Sequence, residues 1–144
     1  MQMNARIASL APWALSLLRF VAGLMYSMHG AQKMIGMFGG VDGHGATPPL
    51  GSLEGIGGVI ELVCGLLILA GFFTRPAAFI ASGEMAVAYF KFHFPGAFWP
   101  IQNGGDLPVL YCFVFLYLAA AGAGPGSIDA LLFKRGKIEA AAAP

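Results

Sequence analysis

LEGIGGVIELVCGLLILAGFF, residues 53–73, is the stretch that decides the fold class. It is long and apolar enough to cross a hydrocarbon layer of roughly 30 Å, which takes about 20 apolar residues as helix. Gly51, Gly55, Gly58 and Gly65 recur at three-, four- and seven-residue steps, so one face is bare enough for another helix backbone to approach closely in lipid. Glu54 and Glu61 lie beside that face. A charge in hydrocarbon costs about 2.5–3.5 kcal/mol on insertion scales, so Glu61 must face protein and find a partner there. The segment reads as the central helix of a bundle.

Three further stretches extend the pattern. One runs from about Ala11 to Gly36, interrupted by Arg19 and His29. Another starts at Pro76, a favoured first-turn residue, and reaches about Phe94. The last runs from Leu107 to about Ala123. The expected fold is all-α, an integral membrane four-helix bundle. Composition agrees: 58% of the 144 residues are hydrophobic and 10% charged, with mean hydropathy +0.74. A basic N-terminus before an apolar run also describes a signal peptide. Here Arg19 would interrupt the run, the run is too long, and no A-x-A site follows, so a retained helix is expected. The net charge of +1, without any basic run, gives no reason to expect nucleic acid.

Arg6, Arg75, Lys134, Arg135 and Lys137 fall at the N-terminus, the second connection and the C-terminus. The positive-inside tendency therefore predicts cytoplasmic termini and a cytoplasmic Thr74-Arg75-Pro76 turn. Lys33 and Lys91 border the opposite side. Residues 1–126 form the membrane domain and residues 127–144 a cytoplasmic tail. In that tail Ser127 is placed to cap a short helix through Leu131, Leu132 and Phe133, lying on the membrane surface.

Depth groups the buried charges. At about 1.5 Å per residue, Arg19 and Glu84 lie at similar distances from the cytoplasmic boundary, which predicts an ion pair fastening spans one and three. His29 and Glu61 match in the outer half, with Lys33 one turn above His29 and Glu54 two turns above Glu61. His29–Glu61 is either a clamp between helices or a proton-handling site, because imidazole titrates near neutrality. Lys33 and Glu54 are expected to snorkel towards the interface.

The outer connections carry turn signals. Gly39, Gly40, Gly43, Gly45, Pro48 and Pro49 predict a loop over 36–52, and Asn103-Gly104-Gly105 predicts a turn before Asp106, placed to cap the last helix. Trp99 suits an interfacial aromatic belt. Cys64 and Cys112 differ in depth by about 9 Å, too far for a bridge. No metal site has a telling spacing, and His29 with His93 makes a poor haem pair.

These residues resemble the DoxX family. Leu18-Arg19-Phe20, Gly23, His29-Gly30 and Lys33 look like its first-helix pattern. Glu61, Gly65 and Gly71-Phe72-Phe73-Thr74-Arg75 resemble its second helix and G-x-x-T-R turn. Asn103-Gly104-Gly105-Asp106 followed by Leu110-Tyr111 looks like its N-G-G-E segment, with Asp in place of Glu and Pro108 breaking the usual run of helix formers. The resemblance implies a multi-pass protein of the bacterial inner membrane. It further implies an accessory or quinone-adjacent subunit of a membrane oxidoreductase linked to redox or oxidative-stress chemistry, not catalytic alone. His29, Glu61 and Lys33 would then form the polar site and quinone would be the candidate cofactor. Its partners would be the lipid bilayer and other membrane subunits or further copies of the chain. The alternatives are a membrane assembly scaffold and a small-solute transporter.

Overall fold

The computed structural model describes residues 7–132. Its four long helices are α1 (Ala11–Ile35), α2 (Leu53–Ala70), α3 (Thr74–Ala88) and α4 (Asp106–Ala121), and no strand occurs among the described residues. The molecule is all-α, as the sequence predicts. Helix α1 packs along α2, α3 along α4, and α2 also meets α3.

Local chemistry sets the helix ends. Ser52 caps α2, its Oγ accepting the Gly55 N–H at 3.0 Å. Helix α2 stops at Ala70, three residues before the expected end, because Gly71 turns left-handed at φ 67°. The Gly71 and Phe72 N–H groups then close back onto Ile68 and Leu67. Helix α3 begins at Thr74, two residues earlier than Pro76 suggested. Phe73 before it has φ 48°, a region sparsely populated by side-chain-bearing residues. The Asp129 carboxylate holds this start, accepting the Phe73 and Thr74 N–H groups at 3.0 Å each. Helix α3 also ends early, giving way to a π-helical turn at Tyr89–His93. The cap expected from Asp106 is not formed. Gly105 holds the N-cap position without a side-chain bond, Asn103 Oδ1 accepts the Gly105 N–H at 2.8 Å, and Asp106 is the first helical residue, near the positive end of the dipole.

Small residues fill the contact between α1 and α2. A Cβ on Gly23 would lie 2.5 Å from Leu69 N, one on Gly30 would strike the Leu62 backbone, and one on Gly65 would lie 2.6 Å from Ser27 N. Of the glycines singled out on the α2 face, Gly58 and Gly65 meet α1, Gly55 meets Pro49 and Leu50, and Gly51 meets nothing within 4 Å. Deeper in the core lie Ala77, Ala78 and Ala81 with Tyr26, Ile68, Phe115 and Leu118. Tyr26 sits edge-on to Phe115 at 4.7 Å. The large apolar side chains point outward instead: Phe20, Leu24, Val63, Leu66, Phe79, Ile80, Leu110 and Phe113 are all at least 40% exposed. Among the described residues α2 alone is long and apolar enough to cross a membrane by length and composition. Helix α1 has 25 residues but carries Arg19, His29 and Lys33, and α3 and α4 have only 15 and 16.

Ser127 accepts the Ala130 N–H at 3.1 Å, as a cap should, and a helical turn runs on to residue 132. Phe133 and the basic residues Arg6, Lys134, Arg135 and Lys137 lie outside the described residues.

Candidate functional site

Arg19 projects from α1 into the end of the bundle and is buried, at 2% exposure. Its Nε donates to the Ala123 carbonyl at 2.8 Å and its Nη2 to Gly126 at 2.6 Å. Nη1 donates to Ile68 at 2.6 Å and Leu69 at 2.5 Å, the last carbonyls of α2. The ion pair expected with Glu84 is therefore not made. Counting depth from each helix end assumed aligned ends, whereas α1 is ten residues longer than α3. Arg19 ends level with the C-terminus of α2, and Glu84 level with Tyr26, whose hydroxyl donates to Glu84 Oε2 at 2.8 Å. Arg75 behaves like Arg19, its Nη1 donating to Ala119 and Ala120 at the end of α4. Beside it a recess of about 560 Å³ runs between Phe72–Pro76 and Ala121–Gly124, with Arg75 and Asp129 in its wall already bonded to backbone.

At the other end, Tyr26, His29 and Lys33 on α1, Glu54, Gly57 and Glu61 on α2, and Glu84 on α3 surround a cavity of about 290 Å³. His93 from the π-helical turn and Tyr111 from α4 complete its wall. Lys33 turns inward rather than snorkelling: its Nζ meets Glu61 Oε1 at 2.8 Å, with the two side chains 26% and 4% exposed. Lys33, not His29, is thus the cationic partner of Glu61, while His29 lines the same cavity. His93 Nδ1 lies 3.1 Å from the Asn103 carbonyl, which ties the Asn103-Gly104 turn to the rim. Asn103 Nδ2 also holds the Ala97 carbonyl at 2.8 Å, so the turn residues act on the loop and not inside the cavity.

Two polar atoms on residues of this cavity's wall have no partner. Glu61 Oε2 and the Tyr111 hydroxyl are buried without a hydrogen bond. Leaving such groups unsatisfied costs about 1–3 kcal/mol each. The first, when ionised, is an acceptor alone and the other can donate, so together they suit an uncharged guest carrying hydroxyl or carbonyl oxygens. Among the described residues no cluster of three or more His, Cys, Asp or Glu could hold a metal ion, and Cys64 and Cys112 are free thiols.

The structure places His29, Lys33 and Glu61 around one cavity and adds Tyr26, Tyr111 and Glu84, which the sequence alone did not single out as its members. Tyr26 stands three and seven residues before His29 and Lys33, a spacing that puts all three on one helix face and was available as a signal.

The DoxX family model matches residues 14–94. The chain belongs to the DoxX family. Those residues carry α1 to α3 and the π-helical turn, and so supply Tyr26, His29, Lys33, Glu61 and Glu84 to the cavity. An uncharacterized protein of Haemophilus influenzae is 44% identical to this DoxX chain over 131 residues, 86% of this chain and 94% of the relative. A second uncharacterized protein of the same organism is 32% identical over 74 residues, 51% of this chain and 49% of that one. No solved structure matches.

Proposed function

We propose that this DoxX protein is a four-span protein of the bacterial inner membrane, with cytoplasmic termini, that serves a membrane oxidoreductase as an accessory subunit. Its outer cavity binds the head of a quinone. The observation that carries this reading is the pair of unpartnered buried atoms, Glu61 Oε2 and the Tyr111 hydroxyl, on residues that line one cavity. A quinone carbonyl takes a hydrogen bond from Tyr111, and a quinol hydroxyl gives one to Glu61. Lys33 and His29 stand at the same cavity as proton-bearing groups, fitting a ligand that gains and loses protons with electrons. The spanning arrangement is supported by the outward-facing apolar side chains on every long helix, a surface that suits lipid and not water. Helices as short as α3 and α4 span by thinning the bilayer locally or by continuing in their flanking turns.

Purification in mild detergent with mass spectrometry of bound lipids and proteins tests the proposal. The expected result is co-purified quinone together with redox subunits, and loss of the quinone on Glu61→Gln/Tyr111→Phe. Protein that carries no quinone and holds a stoichiometric non-redox partner would replace this reading with a scaffold. Reporter fusions after Ile138 test topology separately, and activity confined to the periplasm would reverse it.

A further inference from the structure

A second hollow adjoins the outer cavity on its α2–α3 side. Between α2 and α3 runs a groove of about 280 Å³ whose wall includes Ile56, Ile60, Ile80 and Val87. Groove and cavity share Leu53, Gly57, Glu84, Ala88 and Phe92, so the two volumes adjoin along one wall with Glu84 at the boundary. Outside that boundary the groove is apolar and open, with Ile56, Ile80 and Phe92 each 50% exposed.

Two glycines keep this wall low, and neither is demanded by helix packing. A Cβ on Gly83 would meet nothing within 4 Å, and one on Gly57 would meet only Glu84 Oε1, at 3.2 Å. Gly23, Gly30 and Gly65 differ, since a Cβ on any of them strikes the backbone of the facing helix. The π-helical turn Tyr89–His93 adds to the effect. It interrupts the regular helix where Phe92 reaches both volumes, and such turns concentrate at functional sites.

We infer that the ligand of the outer cavity is an amphiphile dissolved in the bilayer, entering sideways between α2 and α3. Its head lodges at Glu61 and Tyr111, and its chain lies along the Ile56–Ile80–Val87 groove. This rests on the reading of the cavity as a headgroup site and adds the route and the chemical class. A ligand arriving from water has no use for an apolar channel that ends on a carboxylate.

The test uses the full chain in lipid nanodiscs and two probes: a dimethoxy-methyl-benzoquinone with a decyl chain, and the same ring without it. Affinities are referred to probe concentration in the bilayer, which removes simple partitioning. The wild type should bind the decyl compound several-fold more tightly, through van der Waals contacts between the chain and the groove wall, since the lipid it leaves is already apolar. Gly83→Leu projects a side chain into the groove wall from a position where a Cβ meets nothing within 4 Å. It should abolish that preference while leaving affinity for the bare ring within about twofold, as expected for separate sites. Tyr111→Phe, which removes the donor to the quinone carbonyl, should weaken both probes alike. If Gly83→Leu leaves the decyl preference intact, or weakens both probes equally, lateral entry is overturned and the headgroup site stands. If Gly83→Leu changes the oligomeric state and no chain preference exists in the wild type, the groove is a seat for a second copy. If the wild type binds neither probe, the headgroup reading fails and this inference with it.

Discussion

The two ends of the bundle treat charge in opposite ways. At the Arg19 end each charged group terminates on backbone. Arg19 donates to four carbonyls, Arg75 to the last carbonyls of α4, and Asp129 accepts the first N–H groups of α3. Cations sit at helix C-termini and the anion at an N-terminus, so each charge meets the favourable end of a helix dipole. At the Glu61 end side chain meets side chain: Lys33 holds Glu61 and Tyr26 holds Glu84, with two atoms left over. Backbone partners cannot be exchanged without unfolding a helix end, whereas side-chain partners can be exchanged by rotamer changes when a guest arrives. On the function proposed above, one end is a fastening and the other a receptacle.

Breaking the fastening should have the largest effect. Arg19→Leu removes the donors of four carbonyls and exposes nothing in return, which should cost about 3–5 kcal/mol, the scale for breaking a buried charge interaction. Folded yield in detergent should collapse, and Glu84→Ala should not restore it. Rescue by Glu84→Ala would mean that the two charges pair after all. Arg19→Lys should recover little, because an ammonium lacks the planar fork that reaches four acceptors.

In the receptacle the same kind of change should be milder and reparable. Lys33→Met strands the Glu61 carboxylate, at a cost of about 1–3 kcal/mol because Lys33 itself is partly exposed. Adding Glu61→Gln removes the stranded charge, so thermal stability should return towards the wild type while ligand binding stays lost. A double variant no more stable than Lys33→Met alone would break the comparison, since Glu61 would then be held by something other than Lys33.

Tyr111→Phe sharpens it further. The hydroxyl has no partner, so deleting it should leave stability unchanged or raise it by up to about 1 kcal/mol. Affinity for the bare benzoquinone ring should nonetheless fall about tenfold, the worth of one hydrogen bond of about 1.4 kcal/mol. A clear loss of stability would show that Tyr111 belongs to the core and not to the cavity.

Helix class and position were legible because hydropathy marks the apolar helices and glycine spacing marks where helix backbones meet. The Gly58–Gly65 face on α2 predicted close approach, and Gly65 lies against Ser27. Partner identity was legible only in part. His29, Lys33 and Glu61 lie on neighbouring helices at similar height, and any of these pairings satisfies depth alone. Side-chain reach decides between them: the long Lys33 stem folds back one turn. Arg19–Glu84 misled for another reason. A charge in hydrocarbon suggests a countercharge, but helix-end carbonyls serve a guanidinium equally well, and their height depends on where α2 ends. That end is set by Gly71, three residues before the apolar run stops.

The smallest effect belongs to a carboxylate outside both ends, in the loop between α1 and α2. Asp42 is exposed, and its Oδ1 accepts the His44 N–H at 2.8 Å and the Ala46 N–H at 3.0 Å. Those bonds, the one from Ala46 first, hold its carboxyl below the usual carboxylate range. The folded value lies below the unfolded one, so the contribution is fully present above the ordinary carboxylate pKa and is lost as pH falls through the depressed value. The group is local, tying only the turn that also carries the Gly40–Ala46 bridge. Asp42→Ala at neutral pH should therefore speed amide exchange at His44 and Ala46 while leaving the melting temperature of the helices and the binding of the benzoquinone ring unmoved. If ring binding falls with Asp42→Ala, the loop takes part in the receptacle, and the boundary drawn around Glu61, Glu84 and Tyr111 is too tight.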